Sequence, residues 1–146
     1  MNAQLAIALH IMGFLTTSAG KTLTSEILGK SYGTSPVVLR RVLAKLRRAG
    51  LVETRRGVGG GTVLARDPST INLLEVYQAV AEVEEIQILQ RPSTDCGGVI
   101  APIVGTYIEE LFSEAEHALF ERLRRVSVED MDSVLSKRIR AAMRNR

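Results

Sequence analysis

The sequence has no tryptophan, and aromatic residues make up only 4% of it. A core must therefore be filled by aliphatic side chains. Its single cysteine, Cys96, excludes an intrachain disulfide and a structural zinc site of the cysteine-rich kind. Redox chemistry, if the chain performs any, rests on one thiol. No run of eighteen uncharged apolar residues occurs, and the start MNAQLAIALHIMGFL has neither the basic region nor the small-residue cleavage site of a secretory signal. These absences lead us to expect a cytoplasmic protein without a membrane partner. Internal repeats and low-complexity linkers are lacking too.

What the sequence does have is a local excess of positive charge. Its 146 residues suffice for one domain with a core, or a small domain plus a dimerisation element. The net charge is only +3, yet between Pro36 and Arg66 it is +7, which leaves −4 for the rest of the chain. The contributors are Arg40, Arg41, Lys45, Arg47, Arg48, Arg55, Arg56 and Arg66, opposed by Glu53 alone. A basic stretch on an otherwise acidic chain is the footprint of a polyanion partner, or else a solvated charged face.

The segment AQLAIALHIMGFL carries Leu5, Leu9 and Met12 at helical spacing and is expected to form a largely buried helix. LTSEILGKSYG reads as a short helix begun by Thr24 or Ser25 and stopped near Gly33. Ser35 is a good N-cap, and Pro36 suits the first helical position because its missing N–H would be unpaired there anyway. In the helix that follows, Leu39, Val42, Leu43 and Leu46 share one stripe and face the core. Val37, Arg40, Arg41, Ala44, Lys45 and Arg48 gather on the opposite side. Gly50 supplies the stop. LVETRR and TVLAR then flank GVGGG as the two strands of a β-hairpin. Gly57, Gly59, Gly60 and Gly61 are expected to allow positive φ and a close approach of backbone to phosphate.

Helix, helix, turn, helix, hairpin is the order of a winged helix-turn-helix, in a mainly α fold with a small β-hairpin wing. Arg40, Arg41, Lys45 and Arg48 are then expected to enter a major groove of double-stranded DNA, with Arg55 and Arg56 meeting the backbone or minor groove beside the wing. A DNA-binding domain is expected over residues 1–68 and a connecting or effector region over 69–98. Residues 99–146 would hold a long dimerisation helix and a tail. On that helix Val104, Ile108, Leu111, Ala115 and Leu119 recur at spacings of three or four. Such a stripe needs a partner helix, and a second copy of the chain supplies one. Ser127 with Asp130 reads as a capping box for a terminal helix whose last arginines are expected to fray.

GVGGG lacks the Lys-Ser/Thr of a P-loop and the glycine order of a dinucleotide fingerprint, so a wing turn is preferred. His10 reads as a hydrogen-bonded core residue. His117, among Glu114, Glu116 and Glu121, reads as exposed rather than metal-ligating, and no metal is expected. Cys96 is either an inert thiol or a sensor. Gly97, Gly98 and the following helix start favour its thiolate, while Asp95 opposes it. An enzyme could be assembled on paper from Cys96, His117 and the carboxylates of Glu82, Glu84, Glu85, Glu109 and Glu110, but no spacing fixes a catalytic geometry. We expect no catalytic activity. A winged-helix adaptor that binds protein instead of DNA stays open, and the absence of salt-sensitive duplex binding would favour it.

The stretches MNAQLAIALHIM, LTSEILGKSYGTSPVVLRRVLAKLRRAGLVETRRGVGGGTVLAR and INLLEVYQAV resemble the Rrf-two family of bacterial winged-helix regulators. Its members include iron–sulfur, nitric-oxide and hypochlorite responsive repressors. The resemblance runs from Met1 to about Val128. It implies homodimers on partly palindromic operators, with an effector region between wing and long helix, and a repressor answering redox stress or a small molecule. It also implies DNA contacts from Thr34, Ser35, Pro36, Val37, Arg40 and Arg41 at the helix start, and from Arg56, Gly57, Gly59, Gly60 and Gly61 in the wing. Cluster-binding members carry three cysteines between hairpin and long helix, where this chain has only Cys96. One thiolate stands where a cluster takes four ligands, so no cofactor is expected and the chain resembles the cluster-free subgroup.

Overall fold

The helix α1 (Ala3–Thr17) packs against five other elements: α2 (Ser25–Tyr32), α3 (Pro36–Arg48), α4 (Leu73–Val80), α6 (Val128–Arg144) and strand β2 (Gly61–Leu64). A helix apolar on most of its circumference has to be covered on most sides, and this one is. Its deepest residues are Ile7, Ala8, Ile11, Met12 and Leu15, while Leu5 and Leu9 of the expected stripe lie at the edges of the buried face. The computed structural model describes residues 3–81, 98 and 100–144.

Local chemistry sets the helix ends. The Thr24 hydroxyl accepts from the Ile27 N–H at 3.4 Å, and Gly33, at φ 72°, ends α2 in the left-handed region. The Ser35 hydroxyl accepts from the Val38 N–H at 3.4 Å and starts α3. Leu39, Val42 and Leu46 are fully buried and Leu43 partly so. After α3, the Gly50 N–H donates to the Arg47 carbonyl and the Leu51 N–H to the Leu46 carbonyl, both at 3.0 Å. That pair of bonds is a Schellman stop, and Gly50 takes the φ of 69° it needs.

Strands β1 (Val52–Arg55) and β2 pair antiparallel, with Val52 opposite Leu64 and Arg55 opposite Gly61. Leu23 binds the other edge of β2 through two bonds with Thr62, of 3.0 and 2.8 Å. Beyond the hairpin a 3-10 turn (Pro68–Thr70) leads to α4, whose start is closed by reciprocal bonds between Asn72 and Glu75 of 3.0 and 3.2 Å.

The core does not stop at residue 68, where a boundary was expected. Ile71, Val76 and Val80 of the α4 segment, and Val128 at the start of α6, are fully buried in the same cluster as α1 and α3. The backbone ties these segments together: Leu73 N–H donates to Val126 O at 2.9 Å and Val128 N–H to Ile71 O at 2.8 Å. Residues 69–80 are therefore packed into the N-terminal unit, because α2 and α3 cover only part of α1.

Helix α5 (Ile100–Arg124) spans 25 residues, about 38 Å. It meets α4 through the Tyr77 and Phe120 rings, 5.7 Å apart, and leaves most of its apolar side chains exposed. The Ser127–Asp130 capping box is present, with backbone-to-side-chain bonds of 3.0 Å each way. Helix α6 packs back on α1 and stays helical to Arg144, beyond the point where fraying was expected.

Candidate nucleic-acid interface

Helices α2 and α3 are joined by a turn of three residues, Gly33 to Ser35. Gly33 and Thr34 both donate to the Gly29 carbonyl, at 2.9 and 3.3 Å, which closes the end of α2 before the turn into α3. Gly29 is buried at this junction, where a Cβ would stand in ordinary contact with Thr34 O at 3.7 Å and the Leu39 side chain at 3.9 Å. The core stripe of α3 then leaves one face outward. Ser35, Pro36, Val37, Arg40, Arg41, Arg47 and Arg48 are exposed and Thr34 is half-buried.

Lys45 does not join that face. Its ammonium donates to Gln4 Oε1 at 2.8 Å and to the Val80 carbonyl at 3.2 Å. On the helical wheel Lys45 lies about 60° from Val42 and about 140° from Arg40, so its stem runs along the rim of the core toward α1 and α4. Lys45 is thus held toward Gln4 and Val80 rather than on the outward face where it was expected.

Arg47 is exposed on the outward face instead. It shares a cavity of about 400 Å³ with Arg40, bounded by the start of α2 and by β1 and β2. Arg40, Leu43, Ala44 and Arg47 line it at i, i+3, i+4 and i+7, a spacing visible in the sequence but absent from the expected contacts. Glu26 lines the same cavity. Its carboxyl is held below the ordinary carboxylate range, first by the backbone N–H at its own helix start, then by the Thr24 hydroxyl and more weakly by the charge of Arg40. An acidic side chain beside the basic face is the second residue that sequence reading missed, because nothing local pairs position 26 with position 40.

The wing is fastened at its tip. The Thr22 hydroxyl donates to the Gly59 carbonyl at 2.6 Å, so the hairpin and the start of α2 hold a fixed separation. Gly57 and Gly59 adopt φ of 95° and 74°, as expected. Gly60 is needed for another reason: it has no positive φ, but a Cβ on it would collide with Arg55 O and lie 2.7 Å from Gly57 O. Val58 stands fully exposed at the turn. Arg56 is exposed and makes no ion pair among the described residues, while Arg55 lies 3.5 Å from Glu53.

The remaining expected sites divide. Val104, Leu111, Ala115 and Leu119 on α5 are exposed and Ile108 is half-buried; Ile103 and Tyr107, omitted from the stripe, are more exposed than Leu111. His10 is half-buried, with Nε2 2.9 Å from Ser31 Oγ. Cys96, and Glu82, Glu84 and Glu85 of the enzyme reading, lie outside the described residues.

A model of the family described as Rrf2, an iron-dependent transcriptional regulator, matches residues 1–133. The chain is 33% identical over 132 residues to YwnA of Bacillus subtilis (strain 168), provisionally named an HTH-type transcriptional regulator, covering 90% of this chain and 96% of that one. A solved structure provisionally described as a DNA-binding protein superposes with a TM-score of 0.69 at 28% identity, over 88% of this chain and 98% of the other. CymR of B. subtilis, described as the global cysteine regulator, shares the fold with a TM-score of 0.70 at 23% identity, over 92% and 96% of the two chains. The family's description names iron, but one cysteine supplies one thiolate, and no three His, Cys, Asp or Glu side chains converge among the described residues. This donor set does not fit an iron–sulfur cluster. No helix among the described residues is long and apolar enough to cross a membrane. With the helix-turn-helix, its basic outward face and the anchored wing in place, the match over residues 1–133 settles the family: the chain belongs to the Rrf2 (Rrf-two) family of winged-helix transcriptional regulators.

Proposed function

We propose that the chain is a cytoplasmic homodimeric repressor, without catalytic activity, that binds a partly palindromic operator in double-stranded DNA. One observation carries the reading: Arg40, Arg41, Arg47 and Arg48 stand together on the outward face of α3, beside a wing that presents Arg56. Arg40 and Arg41 lie one turn inside the helix start, in reach of base edges, where a bidentate arginine on guanine discriminates by about 1–3 kcal/mol. Thr34, Ser35, Pro36 and Val37 approach the backbone at the helix entry. Arg55, Arg56 and the glycines Gly57, Gly59 and Gly60 meet phosphates or the minor groove and position the protein without reading sequence.

Two copies joined along α5 present two such faces to half-sites about one or two duplex turns apart, one turn being about 34 Å. The exposed apolar residues of α5 support this joining, since one small domain leaves them in water. The signal is either modification of the Cys96 thiol or a small effector, and each acts by shifting the two reading faces.

Sequencing of genomic fragments retained by the purified protein tests the function. An enriched motif with two related halves is expected. No motif, together with no duplex affinity at low salt, overturns it and leaves the protein-binding adaptor.

A further inference from the structure

Between α1 and α6 the surface opens into a cavity of about 350 Å³. Its apolar walls are Leu9 and Phe14 on α1 and Leu135 and Ile139 on α6, of which all but Leu9 remain exposed. Gly13 leaves the room between the helices, with Met131 the nearest side chain to where a Cβ would stand. Pockets of this size and apolar lining hold small organic molecules, with a few polar groups fixing their orientation.

Here the polar groups sit at opposite ends. At one, the Thr17 hydroxyl shares its one proton between Asp132 Oδ1 at 2.9 Å and the Gly13 carbonyl at 3.0 Å, and the Asp132 carboxylate makes that end anionic. At the other, Arg140 donates from Nε to the Ser136 carbonyl at 3.2 Å, leaving its terminal N–H groups to be used. Asp132 and Arg140 are two turns apart on α6, about 12 Å along its axis. The His10 imidazole in the wall is pushed toward its neutral form by burial, so Arg140 is the cation of the lining at neutral pH. An apolar slot with a cationic end at Arg140 and an anionic end at Asp132 suits a flat apolar body whose one carboxylate lies at the Arg140 end.

The same wall reaches the DNA-binding element. The His10 ring stacks on Phe14 at 6.0 Å, lies 5.0 Å from the Tyr32 ring, and its Nε2 is 2.9 Å from Ser31 Oγ. Ser31 and Tyr32 form the last turn of α2, directly before the Gly33 turn into α3. A body inserted against Phe14 and His10 therefore lies one side chain away from the turn that leads into α3.

We infer that the groove between α1 and α6 is an effector site for a small aromatic carboxylate, and that its occupancy reaches the helix-turn-helix through His10 and Ser31. The regulatory half rests on the operator-binding reading above, and the binding half does not.

The test titrates the full-length protein into 2-naphthoate, whose emission is readable because the chain has no tryptophan, with the neutral 2-naphthamide as control. Saturable naphthoate binding is expected, with naphthamide, or Arg140→Gln against naphthoate, weaker by about tenfold or more. Ser136→Trp, which fills the groove, should abolish binding. Should that variant fail to fold, methyl chemical-shift changes confined to Leu9, Leu135 and Ile139 on adding naphthoate are required instead. Ser31→Ala should keep naphthoate affinity within about twofold of wild type while cancelling naphthoate's effect on operator binding. Absence of saturable binding, equal affinity for naphthamide, or indifference to Arg140→Gln overturns the site. Loss of the dimer in Ser136→Trp overturns it too, by making the groove a subunit surface. Retained coupling in Ser31→Ala overturns the route. If the wild type binds naphthoate here but no operator, the regulatory half falls and the binding half stands.

Discussion

The Lys45 ammonium, in the last turn of α3, donates to the main-chain carbonyl of Val80 in the last turn of α4 at 3.2 Å. That carbonyl is one of the helix-end acceptors left without an intrahelical partner, and a cation beside it also suits the helix dipole. Replacing Lys45 by Met keeps most of the stem and removes the donor. Stability should fall by about 1–2 kcal/mol in denaturant unfolding, with the ratio of operator to random-duplex affinity unchanged. A fall in that ratio as large as that of Arg41→Ala would return Lys45 to the interface.

Recognition and positioning should separate by mutation. Arg41→Ala lowers the preference for operator over random DNA, whereas Arg56→Ala weakens both and reduces the salt slope by about one unit, the loss of one phosphate contact. Glu26→Gln, which removes the carboxylate beside Arg40, should raise random-duplex affinity more than operator affinity. Titrations over a range of salt decide each case, and equal slopes for Arg41→Ala and Arg56→Ala would contradict the division.

The apolar side of α5 should hold the dimer. Leu111 is half exposed in one copy, at 50%, and an aspartate in its place would put an uncompensated charge between two helices. Leu111→Asp is expected to shift the protein to monomer or aggregate in light scattering. A stable dimer would move the interface to another face.

Stability should carry a slope set by His10. Burial holds its pKa below the ordinary 6.5, so as pH falls the unfolded chain takes up the proton first. Between 6.5 and the lower folded value, the unfolded state binds more protons and stability decreases with falling pH. Above 6.5 both states are neutral and the contribution is flat. Unfolding curves at about pH 8 and about pH 5.5 should show the loss in wild type and a smaller one in His10→Gln.

If the Cys96 thiol carries the signal, oxidant or alkylating agent should change operator affinity in wild type and leave Cys96→Ser unaffected. A single thiol ends as a mixed disulfide, an oxoacid or a bridge between subunits, and mass spectrometry distinguishes these. Unchanged affinity in wild type and Cys96→Ser alike, before and after treatment, removes the thiol and leaves the effector.

The sequence alone determined whatever depends on neighbours within a turn or two. Thr24, Ser35 and Asn72 cap the helices that follow them, Gly33 and Gly50 end α2 and α3, and the spacing of Leu39, Val42 and Leu46 turns a basic face outward. These features follow from helical periodicity and from satisfying the end N–H and C=O groups, which are local demands. Tertiary structure decided what depends on distant partners. Lys45 points to Val80 rather than outward because α4 docks beside it. Gly60 is required by the carbonyls of Arg55 and Gly57 rather than by its φ. Val128 enters the first core because α1 is apolar on more sides than α2 and α3 can cover. The groove between α1 and α6 joins Thr17 to Asp132 across 115 positions, a juxtaposition that no period in the sequence encodes, since it exists only once two amphipathic helices have found each other.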